Sequence, residues 1–147
     1  PESVNLVNAP LLAEQRDIQV SETTRKQAEE FTSRIRVTLS TEKRSWTIDG
    51  TLVHGTPRVV ELNGVELELV PDGRLVYMAN RDEPGLIGRI GTDLGAAGVN
   101  IGGFMLGRES PKGEAISFIS VDQPVPQDVL KKIASEDNVL EVREVNL

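Results

Sequence analysis

The residues best suited to chemistry lie around Asp82 and Asn100, in the stretches NRDEPG and VNIGG. Apolar residues at three- and four-residue spacing after Pro84 predict a helix that begins at this proline, because its missing amide proton needs no partner in a first turn. The free amides of that turn favour a small anion such as a carboxylate. The carboxylate of Asp82 beside them suits an ammonium group. This combination predicts a site for the zwitterionic head of an amino acid, with Asn80 and Asn100 as further polar contacts.

The length of the predicted helix separates these groups. Roughly fourteen residues at about 1.5 Å each place Asp82 and Asn100 on the order of 20 Å apart within one chain. One chain alone therefore cannot close the site. Two copies packed antiparallel about a two-fold axis would bring the loop of one copy to Asn100 of the other, with two equivalent sites per dimer.

Simpler roles remain open for the same residues. Asp82 or Glu83 suits capping of the helix start, and Asn100 suits a turn after Gly98. The helix also contains three glycines, which cost about 1 kcal/mol each relative to alanine in a helix interior. We expect them to allow the close approach of another backbone or of a ligand, and they are Gly88, Gly91 and Gly95.

Composition excludes several classes of function. The net charge is −7 and the basic runs are short and diluted by glutamates, so nucleic-acid binding is not expected. The absence of cysteine excludes disulfides and thiolate metal sites and fits a reducing compartment, so we expect a cytoplasmic protein. The longest apolar runs are only a handful of residues, so no membrane span is expected. His54 is the only histidine, and GLIGRIG lacks the spacing of a dinucleotide fingerprint. The residues predict no catalytic group, metal or cofactor in this chain.

The first half of the chain predicts mostly strands. A short helix is expected to begin near Asn8 or Ala9, with Pro10 in its first turn, and the alternation in DIQVSETTR predicts a strand after it. Strands are then predicted in SRIRVTLS, RSWTIDGTLVHG, RVVELNG and VELELV. The turn signals between them are Asp49-Gly50, Asn63-Gly64 and Asp72-Gly73, of which the second predicts a hairpin.

The second half predicts a β-α-β-β-α-β order over about 75 residues, from RLVYMAN to NVLEVREV. Such an order forms an α+β fold in which two helices cover one face of a four-stranded antiparallel sheet. We therefore place a domain boundary near residues 72–73, with one domain at 1–73 and another at 74–147.

Residues 74–147 resemble the ACT domain, an amino-acid-binding module of metabolic enzymes with this ferredoxin-like fold. The resemblance is carried by the Asp-x-Pro-Gly turn at 82–85, by Gly-Val-Asn-Ile at 98–101 and by the ending VLEVREV. It is specifically similar to the ACT domain that ends D-3-phosphoglycerate dehydrogenases. Upstream, VNLVNAPLLAEQRDI and DGTLVHGTPRVVELNGVELELV resemble the second half of the intervening, allosteric substrate-binding domain of the long-form enzymes.

The resemblance implies a regulatory fragment of an NAD-dependent enzyme that oxidises 3-phosphoglycerate in serine biosynthesis, with L-serine as feedback inhibitor. In that family serine binds between ACT domains paired side by side, which implies a homodimer or tetramer. Asp82 and Asn100 match serine-contacting positions, and Asn80 stands where the family often has histidine or tyrosine. The motifs extend the implied site to the neighbouring residues Pro84, Gly85 and Ile101. Because the catalytic domains would lie upstream, we expect this chain alone to be inactive and NAD to bind only the parent enzyme.

The intervening domain implies a second site. Arg58 matches a basic position near its junction with the ACT domain, where an anion is thought to bind. Another basic position of the family corresponds to Val70, so Arg74 would substitute for it only if the backbone shifts.

Two alternatives stay open. One is the regulatory part of an iron–sulfur L-serine dehydratase, which also combines an intervening-type domain with an ACT domain. The other is an ACT-like module that only assembles subunits and binds no ligand.

Overall fold

The computed structural model describes residues 4–24, 33–108, 110–111 and 113–147. The chain forms two compact units, one within residues 1–30 and the other within 31–147. The first contains helix α1 (Ala9–Gln15), with Asn8 as N-cap and a proline in its first turn, so the predicted helix is confirmed. The strand predicted in DIQVSETTR is wrong over residues 17–24, which have no regular structure. Alternation yields a strand only where a neighbouring strand pairs with it, and Ile18 and Val20 are both exposed.

The second unit begins with an antiparallel sheet whose strand order follows the chain. Its strands are β1 (Ile35–Ser40), β2 (Ser45–Val53), β3 (Thr56–Leu62) and β4 (Val65–Leu69). The Asn63-Gly64 hairpin is confirmed, since both residues have the positive φ of a two-residue hairpin turn. The turn predicted at Asp49-Gly50 is wrong. These residues lie in the middle of β2, where a bulge shifts the pairing with β3.

The second sheet has the predicted β-α-β-β-α-β order and is entirely antiparallel, with strand order β6-β7-β5-β8. Its elements are β5 (Arg74–Arg81), α2 (Leu86–Ala96), β6 (Ile101–Arg108), β7 (Glu114–Val121), α3 (Gln127–Ala134) and β8 (Val139–Asn146). The α+β fold class is confirmed.

The two faces of the second sheet are covered by different partners. Val76, Met78 and Ile119 pack with Leu86 and Ile90 of α2 in the largest buried cluster. Residues of the opposite face pack against β3 and β4 of the first sheet, in two smaller clusters built on Val59, Leu62, Val65, Leu69, Leu75 and Ile116. The predicted domain boundary falls at Gly73 (φ 69°) between the sheets, and it stays a prediction.

Candidate functional site

The loop after β5 is held in place by strand pairing and by an ion pair. The backbone N–H of Asp82 donates to the carbonyl of Gly113 at 2.8 Å. The Asp82 carboxylate forms an ion pair with the guanidinium of Arg108, the last residue of β6. The side chain of Arg108 is 47% exposed and that of Asp82 is 22% exposed. A positive and a negative group therefore lie side by side at this end of the sheet, open to solvent.

The helix start differs from the prediction. Helix α2 begins at Leu86 with Gly85 as N-cap, so Pro84 lies in the preceding turn rather than in the first helical position. Gly85 has φ 86°, a left-handed conformation that glycine adopts at no steric cost, and the turn from β5 into α2 requires it there. The N-cap is therefore neither Asp82 nor Glu83, and Gly85 has no side chain with which to bond the first-turn amides.

Asn80 is buried at the end of β5, on the face that packs against the helices. It is 3% exposed, and its Nδ2 donates to the carbonyl of Arg81 at 2.9 Å. Within the part of the chain that the structure describes, its Oδ1 has no hydrogen-bond partner. A buried acceptor in this state costs about 1–3 kcal/mol. Asn80 thus presents an unused acceptor close in sequence to Asp82 and to the start of α2.

Asn100 is fixed at the opposite end of the sheet. Its Nδ2 donates to Oδ2 of Asp122 at 2.6 Å, and its backbone N–H donates to Oε1 of Gln123 at 2.7 Å. Because the amide nitrogen is bonded to Asp122, the position of the amide Oδ1 of Asn100 is fixed as well. Ile101, next in sequence, begins β6 and is half-buried.

The strand register measures the separation of the two ends. Asn80 pairs with Ala115 and Ile101 pairs with Val121 on the same strand. Residues 115 and 121 lie on the order of 20 Å apart along β7 at about 3.3 Å per residue. The prediction that Asp82 and Asn100 lie far apart within one chain is confirmed, since they lie at opposite ends of the second sheet. No single chain combines them in one site.

The glycines of α2 have no close neighbour. A Cβ atom added to Gly88, Gly91 or Gly95 would meet nothing within 4 Å among the described residues. The close approach expected at these positions therefore does not occur among the residues that the structure describes. The glycine-bearing face of α2 is open.

The two arginines predicted to bind an anion do not form a joint site within one chain. Arg58 lies in β3 on the outer, polar face of the first sheet, 3.4 Å from a carboxylate oxygen of Glu68. Arg74 begins β5 on the helix side of the second sheet, 3.5 Å from Glu144. Each guanidinium already has a carboxylate beside it. Anion binding at either arginine stays a prediction.

Two residues of the site were missed by the sequence analysis, Arg108 and Asp122. The pairing of β7 with both β5 and β6 brings Arg108 beside Asp82, and no local spacing signals it. Asp122 follows β7 and reaches Asn100 through the same pairing. Across the described ranges no group of three metal-ligating side chains occurs, and no described helix is long and apolar enough to cross a membrane.

Comparison with known proteins separates the chain into two matched regions. Residues 1–63 match the family described as D-3-phosphoglycerate dehydrogenase intervening domain, and residues 75–138 match the ACT domain. The D-3-phosphoglycerate dehydrogenase of Methanocaldococcus jannaschii is 35% identical over 144 residues, 98% of this chain and 27% of that protein. The enzyme of the same name from Bacillus subtilis is 32% identical over 146 residues, 99% of this chain and 28% of that protein. The chain thus spans about a quarter of the length of the curated relatives it matches, at their C-terminal end.

Proposed function

Because the chain belongs to the D-3-phosphoglycerate dehydrogenase family, as the C-terminal regulatory part that joins intervening-domain sequence to an ACT domain, we propose that it binds L-serine and controls a parent dehydrogenase. The parent protein is then an NAD-dependent oxidoreductase of serine biosynthesis, and the catalytic domains belong to sequence that this chain does not contain. The proposal makes L-serine a feedback effector whose binding to paired ACT domains is linked to activity elsewhere.

The proposed site takes one half from each of two chains. Asp82 accepts hydrogen bonds from the serine ammonium, and the amides at the start of α2, next to Pro84 and Gly85, receive the carboxylate. Asn100 of a second copy completes the site from the other side, with Ile101 beside it. The open glycine face of α2 supports an arrangement in which two such helices approach closely.

The observed ion pair fits a zwitterion. Serine carries one positive and one negative group, so its ammonium can pair with Asp82 while Arg108 joins the amides at the start of α2 in binding its carboxylate. Asp122 acts at the other half of the site as a positioning residue. It holds the Nδ2 of Asn100 and leaves Oδ1 as the acceptor presented to the effector.

The single observation that carries the proposal is the buried, unpartnered Oδ1 of Asn80. An acceptor in this state gains a full hydrogen bond when a ligand donates to it, and serine brings both an ammonium and a hydroxyl.

Isothermal titration with L-serine tests the proposal. We expect about one serine per chain in a dimer verified by light scattering, and no binding by Asp82→Ala or Asn100→Ala. Glu42→Ala, which removes an exposed carboxylate from the turn between β1 and β2 of the first sheet, is the matched control and keeps wild-type binding.

Mixing the two inactive variants tests the shared site directly. In a mixed dimer one site carries both substitutions and the other carries none. At equal amounts half of the dimers are mixed, so we expect about a quarter of the wild-type stoichiometry to return. A site built within one chain would not recover on mixing. A stable dimer that shows no binding of serine would favour the alternative of a module that only assembles subunits.

A further inference from the structure

A pocket lies on the face of the second sheet that carries no helix. It is a shallow, open groove with a volume of about 370 Å³. Both sheets line it: Trp46 and Leu62 come from the first sheet, and Tyr77 and Phe118 from the second. We propose that this pocket binds a small carboxylate with a flat, apolar body.

The walls of the pocket suit a flat apolar body. The rings of Tyr77 and Phe118 lie with centroids 5.5 Å apart at an interplanar angle of 53°. Leu62 is buried, and Trp46 is half-buried on the face of β2 that continues the core between the sheets. A ligand ring placed there contacts aromatic and aliphatic surface contributed by both sheets.

The charge of the pocket selects an anion. The guanidinium of Arg143 is bonded to Glu141 at 2.5 Å, so these two charges compensate each other. The Arg44 guanidinium lies 4.9 Å from the centroid of the Trp46 ring. No carboxylate of the described residues forms an ion pair with it. The pocket therefore has one uncompensated positive charge, at its edge.

The hydrogen-bond donors favour a carboxylate over a simple halide. The planar guanidinium of Arg44 can donate two parallel hydrogen bonds to a carboxylate, and its stacking on Trp46 limits its orientations. Burial, and secondarily the negative charge of Glu141, raises the pKa of Tyr77 above its ordinary value, so the Tyr77 hydroxyl stays protonated at neutral pH. The pocket thus offers a second donor next to its aromatic wall.

This pocket is separate from the proposed serine site. Tyr77 and Phe118 face the first sheet, whereas Asn80 and the start of α2 lie on the helix side of the second sheet. A ligand here contacts both sheets at once. It would therefore favour one arrangement of the sheets over others, as a second effector distinct from the amino acid.

The only tryptophan of the chain gives a direct reading of occupancy, because Trp46 lines the pocket. We expect phenylacetate to change the fluorescence of Trp46 in a saturating manner at millimolar concentration or below. Acetate shares the charge without the apolar body, and phenethylamine shares the body with the opposite charge. Neither is expected to saturate. No saturating response to phenylacetate, or equal responses to all three compounds, would overturn the proposal.

Substitution of the cation distinguishes the pocket from nonspecific quenching. Calorimetry should show phenylacetate binding weakened roughly 10- to 100-fold in Arg44→Ala, as expected for a lost charge-assisted pair. Arg44→Lys should be intermediate, since it keeps the charge and loses the planar fork. The neighbouring Lys43→Ala is the matched control and should bind as wild type. Circular dichroism checks that each variant is folded, and an Arg44→Ala variant that is folded and binds normally would contradict the assignment.

Discussion

The two sheets within residues 31–147 each have four antiparallel strands, yet they are stabilised differently. The second sheet is covered by helices on one face and by β3 and β4 on the other. Among the described residues of its own unit, the first is covered only over β3 and β4. Its apolar face continues across β1 and β2 as exposed side chains, at Ile35, Val37, Leu39, Ile48 and Leu52. Four antiparallel strands are therefore not sufficient for a core, because each face needs a partner.

The opposite face of the first sheet carries a network of ion pairs instead of an apolar core. Asp49 is fully buried and accepts two hydrogen bonds from Arg36, both at 2.7 Å. It also pairs with Arg34, whose Nη2 donates to Glu61 at 2.8 Å. Two arginines and two carboxylates thus join β2 to β3 and to the start of β1. The first sheet depends on this ion network where the second depends on packing.

The largest difference between the sheets should appear on truncating apolar side chains. Leu94→Ala in α2 removes a fully buried side chain and should lower the free energy of unfolding by about 2–5 kcal/mol. Val37→Ala in β1 removes a side chain that is 54% exposed and should cost less than about 1 kcal/mol. Urea unfolding followed by circular dichroism measures both. Equal costs would mean that β1 is covered in solution.

Removing the buried charge should produce the next largest effect. Asp49→Ala leaves Arg34 and Arg36, whose side chains are 28% and 54% exposed, with Glu61 alone and should destabilise the chain by about 1–3 kcal/mol through the lost charge-assisted hydrogen bonds. The same urea titration measures it. Asp137→Ala serves as the exposed control. A cost for Asp49→Ala no larger than that of the control would show that the network is dispensable.

The same network makes stability depend on pH. Hydrogen bonds from Arg36, and then from Arg34, hold the pKa of Asp49 below its ordinary value of 3.8, although burial opposes this. The carboxylate therefore stabilises the fold at pH values above about 4, and this contribution is lost as the pH falls through the lowered pKa. Thermal melts between pH 7 and pH 2 should show a decrease that is smaller in Asp49→Asn. An identical loss of stability in wild type and Asp49→Asn would mean that other carboxylates cause the pH dependence.

Gly107 tests the contact between the sheets. A Cβ atom at this position would lie 2.5 Å from the carbonyl oxygen of Glu66 and 2.7 Å from a methyl carbon of Val65. Gly107→Ala should therefore force β6 and β4 apart and cost about 1–3 kcal/mol. Phenylacetate binding should weaken as well, since the proposed pocket needs both sheets in place. An unchanged free energy of unfolding would show that the two sheets can move apart at little energetic cost.

The smallest expected effect has the opposite sign. Gly91→Ala adds a methyl group to α2 where nothing lies within 4 Å, so the helix should gain up to about 1 kcal/mol. If two copies approach along this face, the same substitution should weaken the dimer. Urea unfolding reads the first effect and dilution monitored by light scattering reads the second. Stabilisation with unchanged dimerisation would place the interface elsewhere.

The sequence predicted the second sheet better than the first for a physical reason. The β-α-β-β-α-β order depends on the local periodicity of each segment, and it was confirmed element by element. Asp49-Gly50 has the composition of a turn, but Asp49 stays within β2 because two arginines distant in sequence bind it there. A dipeptide signal contains no information about such partners.

The same limit applies to the candidate site. The separation of Asp82 from Asn100 follows from helix length alone and was predicted. The pairing of Asp82 with Arg108 depends on which strands are neighbours, and the helix start depends on the left-handed Gly85. These features require the folded chain. Binding of serine by the residues named stays a prediction.

The unpartnered oxygen of Asn80 also bears on how long the protein persists in a cell. A ligand that donates to this buried acceptor stabilises the folded state by an amount that rises with the logarithm of its concentration relative to its dissociation constant. Proteases act on the small unfolded fraction, which shrinks as the ligand accumulates. The supply of the effector would then set the abundance of the protein as well as its state, with scarcity leading to faster turnover.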